Sequence, residues 1–246
     1  MKYIFKKIFN KFGYSDVPQY TQSDFESDFL SLAKSCLPYT MTSPERLYAI
    51  YKSIEYIAKN KLEGDIVECG VWRGGSIMCA LQSLVLFNDK YRDIYLYDTF
   101  EGMSLPSEKD VDLNGIPANH LLAKRKKSPE DIIWAFAPLE EVKKNISQTS
   151  YPIERIHFVK GKVEETIPVT LPEKISMLRL DTDWYDSTYH ELVHLFPRLI
   201  KGGVLIIDDY GHWKGAKEAV DQYVEENHLR VLLNRIDYTG RILIKQ

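Results

Sequence analysis

The chain has 246 residues, of which 44% are hydrophobic and 27% charged, with a formal net charge of −3. Ten Phe, 16 Tyr and 4 Trp are too many apolar rings for a disordered chain, and the slight acidity argues against a general nucleic-acid binder. The sequence lacks the ~18-residue apolar run that a membrane span needs.

Three cysteines, Cys36, Cys69 and Cys79, form no CxxC pair. That pattern suggests a reducing compartment, and a cytoplasmic location is expected. The first twelve residues, MKYIFKKIFNKF, intersperse Lys2, Lys6, Lys7 and Lys11 among Tyr3, Ile4, Phe5, Ile8, Phe9 and Phe12. The segment lacks the cleavage site of a signal peptide. As a helix it would be basic and amphipathic, suited either to an anionic membrane surface or to packing on its own domain or a partner subunit.

Residues 13–42, with Pro18 and Pro38, read as an extended arm or short helices. A helix start is marked at Ser43-Pro44-Glu45, where Ser43 can cap and Pro44 suits the first helical position. Leu47, Ile50, Tyr51, Ile54, Ile57 and Ala58 continue it as one apolar stripe to about Asn60. Strands and helices then alternate. Strands are predicted at 65–69, 93–98, 155–160, 175–181 and 203–208, and helices at 76–87, 140–149, 187–199 and 214–227. A closing hairpin is predicted from 229–235 and 241–245, around Tyr238-Thr239-Gly240. Such alternation implies βαβ units and a mostly parallel sheet. Residues 101–130, with Pro106, Gly115, Pro117 and Pro129, break the pattern as a lid-like insertion. Their Lys124-Arg125-Lys126-Lys127 run is either a solvated face or an attractor for an anionic substrate group. The expected division is an arm over 1–40 and one domain over 41–246.

In an open α/β sheet, ligands bind at the carboxyl ends of the strands where strand order reverses, and acids collect at these strand ends. Glu68-Cys69-Gly70 through Gly74-Gly75-Ser76 joins a strand to a helix. Its glycine spacing is not the dinucleotide GxGxxG, so it reads as a nucleotide-like cofactor loop or a plain tight turn. Asp98, ending the second strand, is placed to accept from a ribose diol. Asp181 and Asp183 end the fourth strand, and Asp208 and Asp209 the fifth. Carboxylates ~4 Å apart repel by about 4 kcal/mol at an effective dielectric of ~20. Protonation or a hard cation such as Mg²⁺ must relieve that, unless these residues serve as helix caps and turn formers.

At these residues the chain resembles the macrocin O-methyltransferase (TylF-type) family. The likeness runs through GDIVECGVWRGGS (64–76), LYDTFEGM (96–103), PLEEVKKNI (138–146), YPIERIHFVKGKVEETIP (151–168), LRLDTDWYDST (178–188) and GGVLIIDDYGHWKGAKEAVDQY (202–223). The resemblance implies S-adenosylmethionine as cofactor and a Rossmann-like class I methyltransferase fold. That fold is an α/β, seven-stranded, mostly parallel sheet with the last strand antiparallel. By matching position it places Glu68, Gly70 and Ser76 at the methionine end of the cofactor and Asp98 at the ribose. Gly161, Lys162, Glu164 and Glu165 would shape the adenine pocket. Asp181, Asp208 and Asp209 would hold Mg²⁺, and Asp183 would be the general base. Thr182 stands where the family often has Gly. His212 is the rival base, or a structural histidine.

The function that follows is O-methylation of a sugar or glycosylated metabolite. The alternatives are a phenolic or catechol acceptor, or a cofactor-binding module without catalysis. Expected partners are a small-molecule or glycosyl acceptor, a second copy of the chain in a homodimer, and an anionic membrane through residues 1–12. Nucleic acid is not among them. The membrane role predicts that the full-length protein sediments with anionic vesicles at low salt and that deletion of residues 1–12 abolishes this. No sedimentation of the full-length protein leaves the packing role.

Overall fold

The computed structural model describes residues 24–128, 131 and 133–246. The basic segment 1–12, Pro18, and residues 129 and 130 of the insertion lie outside the described residues. Fifteen named elements follow in chain order: α1 (Ser27–Cys36), α2 (Pro44–Lys59), β1 (Asp65–Cys69), α3 (Gly75–Leu86), β2 (Ile94–Asp98), α4 (Ala118–Ala123), α5 (Leu139–Ile146), β3 (Ile156–Lys160), α6 (Val163–Thr166), β4 (Ile175–Leu180), α7 (Tyr185–Leu195), β5 (Leu199–Ile207), α8 (Lys214–Glu226), β6 (Asn234–Arg235) and β7 (Arg241–Ile244).

Helix α2 forms where its sequence marks it. The Arg46 N–H donates to Ser43 Oγ at 3.2 Å, Pro44 occupies the first turn, and Leu47, Ile50, Tyr51, Ile54 and Ile57 form the buried stripe. Helix α1 lies within the expected arm, yet its Phe29, Leu32 and Cys36 are buried in the same apolar cluster as that stripe.

The sheet order is β3-β2-β1-β4-β5-β7-β6. Strands β1 to β5 pair in parallel, and β7 runs antiparallel to both β5 and β6. This is the class I methyltransferase arrangement expected from the sequence. Strand β4 is buried at all six positions because helices cover both faces of a parallel sheet. One face packs on α1, α2 and α3, the other on α7 and α8. Strand order reverses between β1 and β4: β2 and β3 lie to one side, β5 to the other. The carboxyl ends of β1 and β4 therefore diverge around a crevice.

The hairpin differs from its prediction at its first arm. Only Asn234 and Arg235 pair, with Ile242 and Arg241. Leu229, Val231 and Leu233, alternate residues, pack against the cluster under α8 instead. The period-2 pattern therefore marks extended chain on a core, while the four residues of β7 leave it little to ladder with.

The insertion is docked through its first half. Asp110, 1% exposed, accepts at Oδ1 from the N–H of Tyr185, the first residue of α7, at 2.8 Å, and at Oδ2 from Ser107 N–H at 2.6 Å. Asp112 bridges Trp213 in a short antiparallel pair, and Trp184 Nε1–H donates to the Ser104 carbonyl at 3.1 Å. Lys124, Arg125, Lys126 and Lys127 are exposed; Arg125 pairs with Asp131 at 3.5 Å, and Lys127 lies over the Trp134 ring.

Two glycines of the 70–75 loop serve the chain itself. A Cβ at Gly70 would overlap the Asp181 carbonyl, and its φ of +81° disfavours other residues. At Gly75, a Cβ would lie 2.6 Å from the Tyr39 carbonyl carbon and 2.7 Å from the Cys36 carbonyl oxygen, where the end of α1 crosses the start of α3. Gly70→Ala should therefore lose at least about 2 kcal/mol of stability, read from urea unfolding. An unchanged midpoint would show that the β1–β4 contact relaxes freely.

Candidate active site

A cavity of about 330 Å³ fills the crevice. Gly70 and Ser76 line it from the β1–α3 loop, Asp98 from the end of β2, and Gly161, Lys162 and Glu164 from the turn after β3. Asp181 to Trp184 come from the end of β4, Asp208 and Asp209 from the end of β5, and His212 and Trp213 from the approach to α8. Met103, Ser104, Ala118, Leu121 and Leu122 close it from the insertion, and Ile133 from the chain just after it. Ten of the twelve residues expected at the site thus reach one wall. The exceptions are Glu68 and Glu165. Glu165 is exposed on the one-turn α6. Glu68 lies behind the wall, 1% exposed, because it faces Arg179 within the sheet.

Arg179 is the penultimate residue of β4, 1% exposed. Its Nη1 donates to Glu68 Oε1 at 2.6 Å; its Nη2 donates to Asp208 Oδ1 at 2.7 Å and to Thr42 Oγ1 at 3.1 Å, and lies 2.8 Å from Asp181 Oδ2. Glu68 also accepts from the Ser76 hydroxyl. Burial pushes the Glu68 carboxyl up to about 7, against the pull of Arg179 and Ser76. Burial likewise disfavours the Arg179 charge, but Asp181, Glu68 and Asp209 together hold its pKa above the ordinary value. Arg46, from the first turn of α2, ion-pairs with Asp208 and with Asp237, the latter at 3.0 Å.

The acids above this pair form a tight set. One carboxylate oxygen each from Asp181, Asp208 and Asp209 lie within 4.8 Å of one another. Asp183 follows on a γ-turn: its φ is +67°, and Trp184 N–H donates to the Thr182 carbonyl at 2.8 Å. Strand β4 stops at Leu180, so Asp183 is aimed by this turn and not by the alternation of a continuing strand. A non-glycine residue held in such a conformation marks a place where surrounding structure imposes strain, often at a site of function. Asp183 and Asp209 are both pushed above the usual carboxylate range, by burial first and then by neighbouring carboxylates. Asp209 Oδ2 is buried without a hydrogen-bond partner.

Asp98 is saturated from one side. Its Oδ2 accepts from Val71 N–H at 2.7 Å and Trp72 N–H at 3.0 Å, and its Oδ1 accepts from Phe100 N–H at 2.7 Å. Burial raises its pKa while these donors lower it. Two oxygens offer about four lone-pair directions, so capacity remains toward the cavity. Thr182 points the other way: its hydroxyl donates to Glu191 Oε2 at 3.1 Å, and Glu191 is fully buried on α7. It tightens the turn beneath Asp183. His212 lines the cavity, and burial lowers its pKa.

Sequence reasoning missed Arg179, Arg46, Glu191, Trp184 and Trp213 as site residues. For Arg179 a signal existed, a lone cation inside the apolar strand ISMLRL. The tryptophans had none, since an aromatic beside an acid is more often core.

The model of the macrocin O-methyltransferase (TylF) family matches residues 5–245. The chain belongs to that family. It is an O-methyltransferase by family and by its relatives. It is 30% identical over 202 residues to demethyldecarbamoylnovobiocin O-methyltransferase of Streptomyces niveus, which covers 82% of this chain and 74% of the relative. To the 8-demethyl-8-(2,3-dimethoxy-α-L-rhamnosyl)-tetracenomycin-C 4′-O-methyltransferase of Streptomyces olivaceus it is 29% identical over 242 residues, 96% of this chain and 89% of the relative. The solved O-methyltransferase NovP superposes with a TM-score of 0.71 at 29% identity, over 84% of this chain and 82% of that one.

Arg179→Met would leave Glu68 buried without a cation and would take from Asp181 and Asp208 the one they share with it, a loss of about 3–5 kcal/mol. Urea unfolding should show it, and adding Glu68→Gln should recover part. No loss would mean the three acids are neutral without the arginine.

Proposed function

We propose that this enzyme transfers the methyl group of S-adenosylmethionine to a hydroxyl of a sugar or glycosylated metabolite, with Mg²⁺ at Asp181, Asp208 and Asp209. The observation that carries this is the convergence, in one cavity at the strand-order switch, of Asp98, the three clustered acids and Asp183. The relative with the tetracenomycin name acts on a rhamnosylated compound, which favours a sugar over a phenol here.

The residues suit a hard cation. Glu68, Asp181, Asp183, Asp208 and Asp209 set five carboxyl groups against the guanidiniums of Arg46 and Arg179, and Arg46 is shared with Asp237. The orphaned Asp209 Oδ2 is a further oxygen in want of a partner. Oxygen donors alone match Mg²⁺, which takes a few carboxylates and keeps several waters. When bound, the cation supplies a Lewis acid that stabilises negative charge developing on the acceptor oxygen.

When bound, S-adenosylmethionine would supply an electrophilic methyl group with a neutral thioether as its leaving group. Asp98 would accept from a ribose hydroxyl with its remaining lone pair, while Gly70 and Ser76 would border the methionine end. Gly161, Lys162 and Glu164 border the adenine. Asp183 takes the proton that the acceptor hydroxyl loses as its oxygen bonds the methyl carbon. Trp184, Trp213 and the apolar residues of the insertion exclude water from that step.

Turnover should vanish with excess chelator and return with Mg²⁺, while calorimetry still detects the cofactor; full activity in chelator refutes the metal reading. Asp98→Ala should weaken cofactor binding by roughly ten- to a hundredfold, the value of a charge-assisted hydrogen bond. Asp183→Asn should lower kcat by ~10²–10⁴ with cofactor affinity nearly unchanged. Labelled cofactor with a panel of aryl glycosides, macrolide glycosides and catechols decides the acceptor class. Methylation of catechols alone would overturn the sugar reading.

A further inference from the structure

Asp183 is held differently from its neighbours. Asp181 and Asp208 are aimed by guanidinium groups. Among the described residues no Lys or Arg lies within ion-pair distance of Asp183. Its Oδ1 instead accepts from the indole N–H of Trp213 at 2.8 Å. We propose that Trp213 is the positioning residue for the Asp183 carboxylate, and that through it the docked insertion sets the geometry of methyl transfer. This rests on the reading of Asp183 as the base.

The chemistry of the donor suits that task. The terminal torsion of an aspartate is broad, so a carboxylate on a turn needs an external donor to hold one orientation. An indole N–H donates and cannot accept. It fixes Oδ1 without competing for the proton and without adding a charge beside the acids. Asp209 is the other side chain that hydrogen-bonds Asp183, and the lone pairs left over face an acceptor hydroxyl.

The ring has little freedom of its own. Trp184 meets it edge-on at 5.0 Å, and the Trp184 N–H is spent on the Ser104 carbonyl. His212 meets it edge-on at 4.9 Å. The Trp213 backbone is bridged to Asp112, and the next N–H, from Lys214, donates to the Val111 carbonyl at 2.9 Å. Asp112 in turn accepts from Asn114 and Ile116 N–H at 2.8 Å each, which shapes the turn that reaches Trp213. A continuous set of contacts thus leads from the insertion to Oδ1 of the base.

The test is a double-mutant cycle in the full-length enzyme, run with Mg²⁺ and the glycoside that turns over fastest in the acceptor panel. Trp213→Phe keeps a ring and removes the donor. It should lower kcat by about ten- to a hundredfold, the worth of a hydrogen bond to a charged group. Cofactor affinity should stay within about twofold, because the loss falls on the transition state. In an Asp183→Asn background the same change should add little, since its route of action is already cut. A full additive fall would overturn the proposal, as would unchanged kcat in Trp213→Phe. Normal turnover in Asp183→Asn alone would instead refute the base assignment, and the proposal with it.

Should the phenylalanine variant fail to fold, benzothienylalanine at position 213 replaces only the N–H by sulfur, and the same outcomes apply. An acceptor-independent measurement accompanies the cycle. In ¹⁵N-edited spectra with S-adenosylhomocysteine, the Trp213 indole proton should resonate downfield and move upfield in Asp183→Ala. A resonance that does not move would overturn the proposal.

Discussion

The interaction on which the rest of this structure depends is the burial of Arg179 beneath the acids at the strand ends. One guanidinium reaches Glu68 on β1, Asp181 after β4, Asp208 after β5 and Thr42 before α2. Three adjacent strands and the segment leading into the first long helix are thereby tied at the rim where the sheet opens. A buried ion pair of this kind seldom adds stability over a well-packed apolar core of the same volume. Its value here is positional: it holds carboxylates close together that would otherwise repel.

That arrangement leaves a graded set of acids. Glu68 and Asp208 are spent on guanidinium groups, Asp181 partly so, while Asp209 and Asp183 lie farther from compensation and are pushed toward the neutral form by burial and by one another. A cation at the cluster and a proton acceptor beside it are complementary answers to the same excess of negative charge. The γ-turn at Asp183 separates the two roles by lifting one acid out of the line of the strand.

The insertion has an equally physical role. Asp110 satisfies an orphan N–H at the start of α7 and Val111 one at the start of α8. The two helix starts that border the cavity are therefore capped by the segment that covers it. Covering the site and completing the helices are one act of packing, and this places Trp184 and Trp213 where cover and acids meet.

What the sequence determined by itself is what local pattern and strand-end position can carry. Apolar periodicity placed α2, α3, α5, α7, α8 and the five parallel strands to within a few residues, Ser43-Pro44 marked a helix start to the residue, and acids at strand ends pointed to the crevice. Asp98, Asp181, Asp183, Asp208 and Asp209 were legible because strand ends converge at the switch point of any doubly wound sheet. The tertiary structure alone decided which acid faces which partner. Glu68 looked like a cavity residue and proved to be a counter-ion, because Arg179 lies across the sheet from it. The glycine loop read as either a cofactor loop or a tight turn, and its Gly75 makes room for the end of α1. Leu229 to Leu233 looked like a strand and proved to be unpaired chain on a core. Trp213 carried no signal, since its meaning lies in one hydrogen bond thirty residues along the chain. Contacts of that kind depend on the packing of whole elements, which no short window of sequence contains.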